Sequence, residues 1–384
     1  MNFQLTDDQN LIKQTIRSFV EDNVVPNATQ WDEEERFPTE IIGRARELGL
    51  FGMAIPAEYG GTDLDTVTNA TVIEELARGD GSIALTVASH NSLCCSHIVK
   101  SGTNEQKEKY LPKLANGSWL GAWGLTEPGS GSDASGLKTR AIKEGDEWVI
   151  NGAKTFITQG SVGKVAVILA YTEPEKKQRG ITAFIIEHGT EGFTVGNHLK
   201  KLGMRSSDTV ELLMDNVRIS DAQRLGEVNM GFLDTLAILD AGRIGIAALA
   251  VGLAQGACEA AYRYSMERKQ FGTPIANFQA IQGKIANMST TLEGSRLLVQ
   301  RAAWLRDTGQ PFGKEASMAK LMASEMAVKV CEEAVQIHGG YGYTREFPVE
   351  RFWRDSKLCT IGEGTSEIQR MVIARHIFNA LPNA

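Results

Sequence analysis

Cysteine is scarce in this 384-residue chain. Its five cysteines are Cys94, Cys95, Cys258, Cys331 and Cys359. The number is odd, none forms a Cys-x-x-Cys pair, and no His/Cys cluster has zinc spacing. Neither a disulfide framework nor a metal site is therefore expected. The adjacent Cys94 and Cys95 cannot easily bridge each other, and all five read as reduced thiols of a cytosol-like, cytoplasmic compartment. The opening MNFQLTDDQNLIK lacks the apolar core of a signal peptide, and its acids argue against a transit peptide. The longest apolar run, residues 244–254, is too short to span a bilayer. There is no basic excess: 40 Lys and Arg stand against 47 Asp and Glu, a net charge of −7. Nothing in that balance points to nucleic acid or an anionic membrane as a partner. The basic stretch EPEKKQRG, residues 173–180, reads as a solvated loop. Tandem repeats and low-complexity segments are missing too.

What is present describes an ordinary globular protein, 42% hydrophobic and 23% charged. Its length exceeds what one core usually supports, so two or three packed units are expected. Three zones differ in texture. Residues 1–119 read as helical. TDDQNLIKQTIRSFVEDNVVP opens with a capping-box pattern at Thr6 and Gln9 and is expected to close at Pro26. FPTEIIGRARELGLFG, TVTNATVIEELARGDG and NEQKEKYLPKLANG each end in glycine, as helices often do.

The period changes over residues 120–229. TRAIKEGDEWVINGAKTFIT gives two alternating runs around a polar turn, a hairpin signal. KVAVILAYT, GITAFIIEH and TVELLMDNVRI are short and β-branched, so a closed or sandwiched sheet is expected. Over residues 230–384 the helical period returns in long segments joined by short loops, the pattern of a helical bundle.

Several segments have room for chemistry. GLTEPGSGSDASG, residues 124–136, permits close backbone approach by a phosphate, a flavin edge or a thioester ligand. As composition alone, it is a Ser/Gly-rich turn between domains. It lacks the Gly-Lys-Ser/Thr ending of a Walker loop and the strand–turn–helix frame of a Rossmann fingerprint. KTFITQG, residues 154–160, is either a plain strand end or a site where Thr158 presents its hydroxyl to a bound ring. QIHGGYGYTREFP, residues 336–348, is a helix C-cap with its loop, or a backbone surface for an extended ligand. His338 alone reads as structural. Arg268, in RKQFG, either complements a helix dipole or faces a ligand. Near the C-terminus, TIGEGTSEIQR places one carboxylate, Glu363, between two glycines ahead of a helix.

In this order the motifs become specific. The chain resembles the acyl-CoA dehydrogenase family over essentially its whole length. GLTEPGSGSD looks like the family's first signature, and QIHGGYGYTREFPVERFWRDSKLCTIGEGTSEIQR looks like its second. The resemblance implies an N-terminal helical domain (1–119), a middle β-barrel or sandwich domain (120–229) and a C-terminal four-helix bundle (230–384). It implies FAD as cofactor and α,β-dehydrogenation of an acyl-CoA to 2-enoyl-CoA. Glu363 would remove the α-proton while hydride passes to flavin N5. Trp123, Leu125, Thr126, Gly131 and Ser132 would line the flavin, with Ser132 also on the CoA side. Phe156, Ile157 and Thr158 would flank the ring; many relatives carry Trp where this chain has Phe156. Arg268, Phe271, Gln279, Gln336, Ile337, His338, Gly339 and Gly340 would hold the rest of FAD, in part across a subunit boundary. Thr365 and Glu367 complete the cofactor set. Asp240, Arg243 and Gly364 would meet substrate.

The same resemblance implies electron-transfer flavoprotein as electron acceptor and a homotetramer built as a dimer of dimers. Isovaleryl-type relatives carry the base just before the arginine of LDAGR, where this chain has Gly242. Glutaryl-type relatives hold the distal carboxylate with an arginine, and ungapped counting places that site at Ala84. LDAGRIGIAA most resembles the butyryl, short-chain branch. Oxygen-dependent oxidation and a non-catalytic scaffold are the competing readings, which an anaerobic assay with acyl-CoA separates.

Overall fold

A computed structural model describes residues 4–381. Helix α1 (Asp7–Phe19) begins as its sequence requires: the Thr6 hydroxyl accepts from Gln9 N–H, and the Gln9 side chain accepts from Thr6 N–H. The expected stop at Pro26 does not occur. A π-helical turn (Val20–Val24) leads straight into α2 (Val25–Glu34), with Pro26 in its first turn. There the missing N–H has little to bond within the helix and the fixed φ suits helix geometry, so proline starts α2 instead of ending α1. Helices α3 (Thr39–Glu47), α4 (Thr66–Gly79), α5 (Gly81–Ser89), α6 (Ser96–Ser101) and α7 (Asn104–Ala115) complete this part of the chain. Gly117 adopts φ +66° just beyond α7, as expected, whereas after α3 the left-handed glycine is Gly49, φ +69°, three residues before the expected Gly52. The third expected glycine stop is different. Asp80, not Gly81, separates α4 from α5, and its carboxylate caps α5 by accepting from Ile83 N–H at 2.9 Å.

Eight strands follow: β1 (Gly121–Gly124), β2 (Arg140–Glu144), β3 (Glu147–Thr158), β4 (Val165–Tyr171), β5 (Ile181–Glu187), β6 (Phe193–His198), β7 (Thr209–Ser220) and β8 (Arg224–Leu225). They make one sheet in the order β6-β7-β3-β2-β4-β5-β8, with β1 parallel to β4. The expected hairpin is β2–β3, closing with Glu144 opposite Glu147. Strands β4 and β5 are apolar at nearly every position because both faces are covered. Val165, Val167 and Leu169 pack with Tyr110, Leu111 and Leu114 of α7, while Ala166, Ile168 and Ala170 pack with Trp148, Phe184 and Val217 inside the sheet.

The bundle consists of α8 (Gly231–Glu267), α9 (Gln279–Asp307), α10 (Gly313–His338), α11 (Val349–Cys359) and α12 (Ser366–Ala380). By length and composition α8 could cross a membrane, yet 67% of its most apolar window is buried inside the protein, as in a core helix. Its small residues let α4 come close: a Cβ on Gly252 or Gly256 would overlap the carbonyl oxygens of Glu74 and Arg78. Charged pairs tie the parts together. Arg354 of α11 bonds Asp32 of α2 at 2.6 and 3.0 Å, and Asp355 accepts from Met204 N–H in the β6–β7 loop.

Candidate active site

Glu363 sits on the turn between α11 and α12. The glycine on either side was the visible feature in sequence, but the glutamate itself takes the left-handed conformation, φ +53°, followed by Gly364 at +94°. A non-glycine residue in that region costs on the order of 1 kcal/mol, and such strain clusters at functional sites. Thr365 then caps α12 through Ile368 N–H. The carbonyl of Gly364 is held by Lys320 Nζ at 2.6 Å and Gln369 Nε2 at 3.0 Å, and Gln369 Nε2 also donates to Glu363 O at 3.3 Å.

The Glu363 carboxylate lies against Gly242 of α8. The residue as a whole is only partly buried, but its Oε2 is enclosed and has no hydrogen-bond partner among the described residues. Burial pushes its pKa up to about 7, against the opposing pull of Lys320 and then Arg243. Arg243 is itself buried, paired with Asp240 and 3.3 Å from Ser317 Oγ, with its Nε unpartnered. Burial lowers its pKa and raises that of Asp240. Of Asp240 and Arg243, Asp240 keeps the open side chain, 35% accessible. Gly364 lies beside this group, and Glu367 is exposed in the first turn of α12.

The loop after β1 is anchored at its base and open at its tip. Trp123 Nε1 donates to His97 Nδ1 at 3.1 Å. Leu125 is buried, and its carbonyl accepts from Lys154 Nζ at 3.1 Å. Thr126 O accepts from Thr155 N–H at 2.9 Å, tying the loop to β3. Lys154 also pairs with Glu127 at 2.8 Å, and Glu127 receives Thr139 N–H at 3.0 Å. Gly131 and Ser132 are exposed, and a Cβ on Gly131 would meet nothing within 4 Å. Next to Lys154 the β3–β7 register slips, and Phe156 bulges out with φ +58° and 68% of its surface exposed. Ile157 turns into the sheet core, while Thr158 stays partly open.

The remaining predicted residues divide by exposure. Phe271, φ +52°, is 95% exposed. Arg268 stands 5.6 Å from the Tyr341 ring and has no ion pair among the described residues. Gln279, Gln336, Gly339 and Gly340 are exposed, and a Cβ on either glycine would meet open space. Ile337 belongs to the core. The His338 ring is stacked on Tyr264 at 4.2 Å, and its Nδ1 is hydrogen-bonded to Ala334 O. The bare aromatic faces, the unpaired arginine and the open glycines suit a cofactor with a flat ring and a diphosphate. Among the described residues no group of His, Cys, Asp or Glu could hold a metal ion.

Three residues escaped the sequence reading: Lys154, Lys320 and Gln369, each 0% exposed. Period-two counting along β3 puts Lys154 on the inner face with Trp148 and Ile150. Counting along α10 puts Lys320 in the buried stripe with Ala316 and Ala323. A charge on an apolar stripe was the available signal for both.

Comparison with known proteins bears on the whole chain. The chain matches the acyl-CoA dehydrogenase N-terminal domain over residues 6–118, the middle domain over 122–217 and the C-terminal domain over 229–378. It is 44% identical to the short-chain specific acyl-CoA dehydrogenase of Clostridium acetobutylicum over 378 residues, covering 98% of this chain and all of the relative. The solved butyryl-CoA dehydrogenase of Megasphaera elsdenii superposes with a TM-score of 0.96 at 42% identity, covering 98% of this chain and 100% of that one. A chain from a structure described as the electron transferring flavoprotein of Acidaminococcus fermentans superposes with a TM-score of 0.97 at 41% identity, covering 98% and 99%. The chain belongs to the acyl-CoA dehydrogenase family, FAD-dependent oxidoreductases acting on acyl-CoA, and has their three-domain fold.

Proposed function

We propose that this protein dehydrogenates the Cα–Cβ bond of a short, neutral acyl-CoA and that Glu363 removes the α-proton. The observation that carries the reading is the Glu363 carboxylate: enclosed, without a hydrogen-bond partner among the described residues, and raised by burial to about pKa 7. A carboxylate near neutral pKa is a stronger base than a solvated one, and it is about half ionised at pH 7 and more so above it. The backbone N–H of the Glu363–Gly364 turn is a fixed donor of the kind that steadies a developing enolate oxygen. FAD, when bound, supplies the hydride acceptor. Trp123, Thr126, Ser132, Phe156 and Thr158 would face its ring. Arg268, Phe271, Gln279 and the backbone at Gln336, Gly339 and Gly340 would hold its diphosphate and adenosine, with Thr365 and Glu367 nearby. Asp240 is the open polar group for the CoA portion.

We place the domain limits near residues 119 and 229. Electron-transfer flavoprotein is the proposed electron acceptor, supported by the structural relative described under that name. A homotetramer is supported by the apolar side chains α9 and α12 leave exposed, Trp304, Met371 and Phe378, which a partner subunit would cover. The decisive experiment is Glu363→Gln. The holoenzyme should fold, keep FAD and bind butyryl-CoA, with flavin reduction slowed by about 10²–10⁴. Near-native single-turnover reduction would remove Glu363 from this role.

A further inference from the structure

Lys320 is a buried cation beside the site. Its side chain is 0% exposed, on the stripe of α10 that also buries Ala316, Ala319 and Ala323. No carboxylate of the described residues lies within ion-pairing distance of its ammonium. Its hydrogen bond goes to a main-chain carbonyl, Gly364 O, at 2.6 Å. A buried, unpaired ammonium loses several kcal/mol of hydration and is not retained for packing alone, since methionine would fill the same space more cheaply. The carbonyl it holds belongs to the residue after Glu363, in a turn whose two consecutive positive φ angles need external anchors to persist.

Resting on the reading of Glu363 as the base, we infer that Lys320 is a positioning residue for it. The Lys320 ammonium fixes the Glu363–Gly364 backbone through the Gly364 carbonyl, and its positive charge favours the ionised carboxylate. Gln369, also fully buried, donates to both carbonyls of the turn and shares the first task without the second.

The groups around Glu363, Lys320 and Asp240 decide which cation acts. From α8 come Arg243 and Asp240, from α10 Lys320, from α11 the Cys359 thiol, and from α12 Glu367 and His376. Arg243 is already ion-paired with Asp240, so much of its charge is compensated. Glu367 is exposed and solvent-screened, and burial pushes the Cys359 thiol up to about 12, which keeps it neutral. Lys320 is therefore the uncompensated charge that Glu363 meets. Burial lowers its own pKa to about 8, so it remains largely a cation at neutral pH.

The test uses FAD-loaded wild type, Lys320→Gln, Lys320→Arg, Gln369→Leu and Glu363→Gln. Infrared titration follows the carboxyl band that Glu363→Gln abolishes. Stopped-flow bleaching by butyryl-CoA follows the pH dependence of flavin reduction. Lys320→Gln retains a donor for Gly364 O but not the charge. It should move both the band's midpoint and the acid limb of the rate to higher pH by about one unit. Lys320→Arg should restore both positions. Gln369→Leu should slow reduction with its profile unmoved. A folded, FAD-loaded Lys320→Gln with an unshifted band and limb overturns the proposal, as does an equal shift in Gln369→Leu. Rapid reduction by Glu363→Gln is a separate result and removes the base assignment itself.

Discussion

Gly242 and Glu363, 121 positions apart in the chain, occupy one spot: a Cβ on Gly242 would overlap Glu363 Oε2 and stand 3.1 Å from its Cδ. The absence of a side chain on α8 is what gives the carboxylate its room. The same geometry explains why a base at position 242 and a base at position 363 are alternatives, since the two side chains cannot share the volume.

Gly242→Ala follows directly. Alanine in place of a helical glycine normally stabilises by up to about 1 kcal/mol, so the variant should fold and load FAD. Its methyl group must displace the Glu363 carboxylate, and misplacement of a reacting group by about 1 Å can cost on the order of a hundredfold. The expected outcome is flavin reduction slowed by tenfold or more with stability unimpaired. An unchanged single-turnover rate would show that Glu363 relaxes without consequence.

Lys154 and Glu127 form a buried pair that braces the loop after β1, and burial lowers Lys154 to about pKa 8 against the pull of Glu127. Lys154→Met strands the Glu127 carboxylate, which typically costs about 3–5 kcal/mol. Urea unfolding should register the loss, and FAD should leave the variant more readily because residues 125–132 lose their anchor. Adding Glu127→Gln should recover part of the stability. Native stability and FAD content in the single variant would contradict this account.

Asp355 is fully buried, and burial followed by its neighbour Asp80 raises its pKa to about 7. The folded state therefore binds a proton more tightly than the unfolded chain, whose aspartate titrates near 4. Stability falls as pH rises from about 4 through about 7, and the penalty is complete above that range. Asp355→Asn cannot ionise, and its side-chain oxygen can still accept from Met204 N–H. Its gain over wild type should be larger at pH 8 than at pH 5, by on the order of 2–3 kcal/mol. Denaturation curves at the two pH values measure the difference, and an equal effect at both would rule out titration as the cause.

Ala84, the position that ungapped counting gives for the arginine of glutaryl-type relatives, is buried and carries no charge. A terminal acyl carboxylate that met no cation would be buried unpaired, at a cost of several kcal/mol. Butyryl-CoA should exceed glutaryl-CoA by about a hundredfold or more in kcat/KM. Comparable values would mean that another cation serves the slot.

Local chemistry made much of this protein readable in advance. The Thr6–Gln9 capping box, the β2–β3 hairpin, the doubly apolar β4 and β5 and the long helices of the C-terminal zone each follow from periodicity and capping within a few residues. The motif around Glu363 also stands in one stretch of chain. Tertiary structure decided the rest, because it depended on partners distant in sequence. Pro26 continues the helical path because a π-helical turn delivers it to a first turn. Strands β1 and β6 carry weak patterns and exist through pairing with β4 and β7. The His338 ring went to an aromatic cluster, and Arg243 went to Asp240. Above all, no local rule brings Gly242 of α8, Lys320 of α10 and Glu363 of the α11–α12 turn together. Periodicity tells which face of an element is buried, whereas the carboxylate's environment is set by which buried faces meet, and only packing of the whole chain determines that.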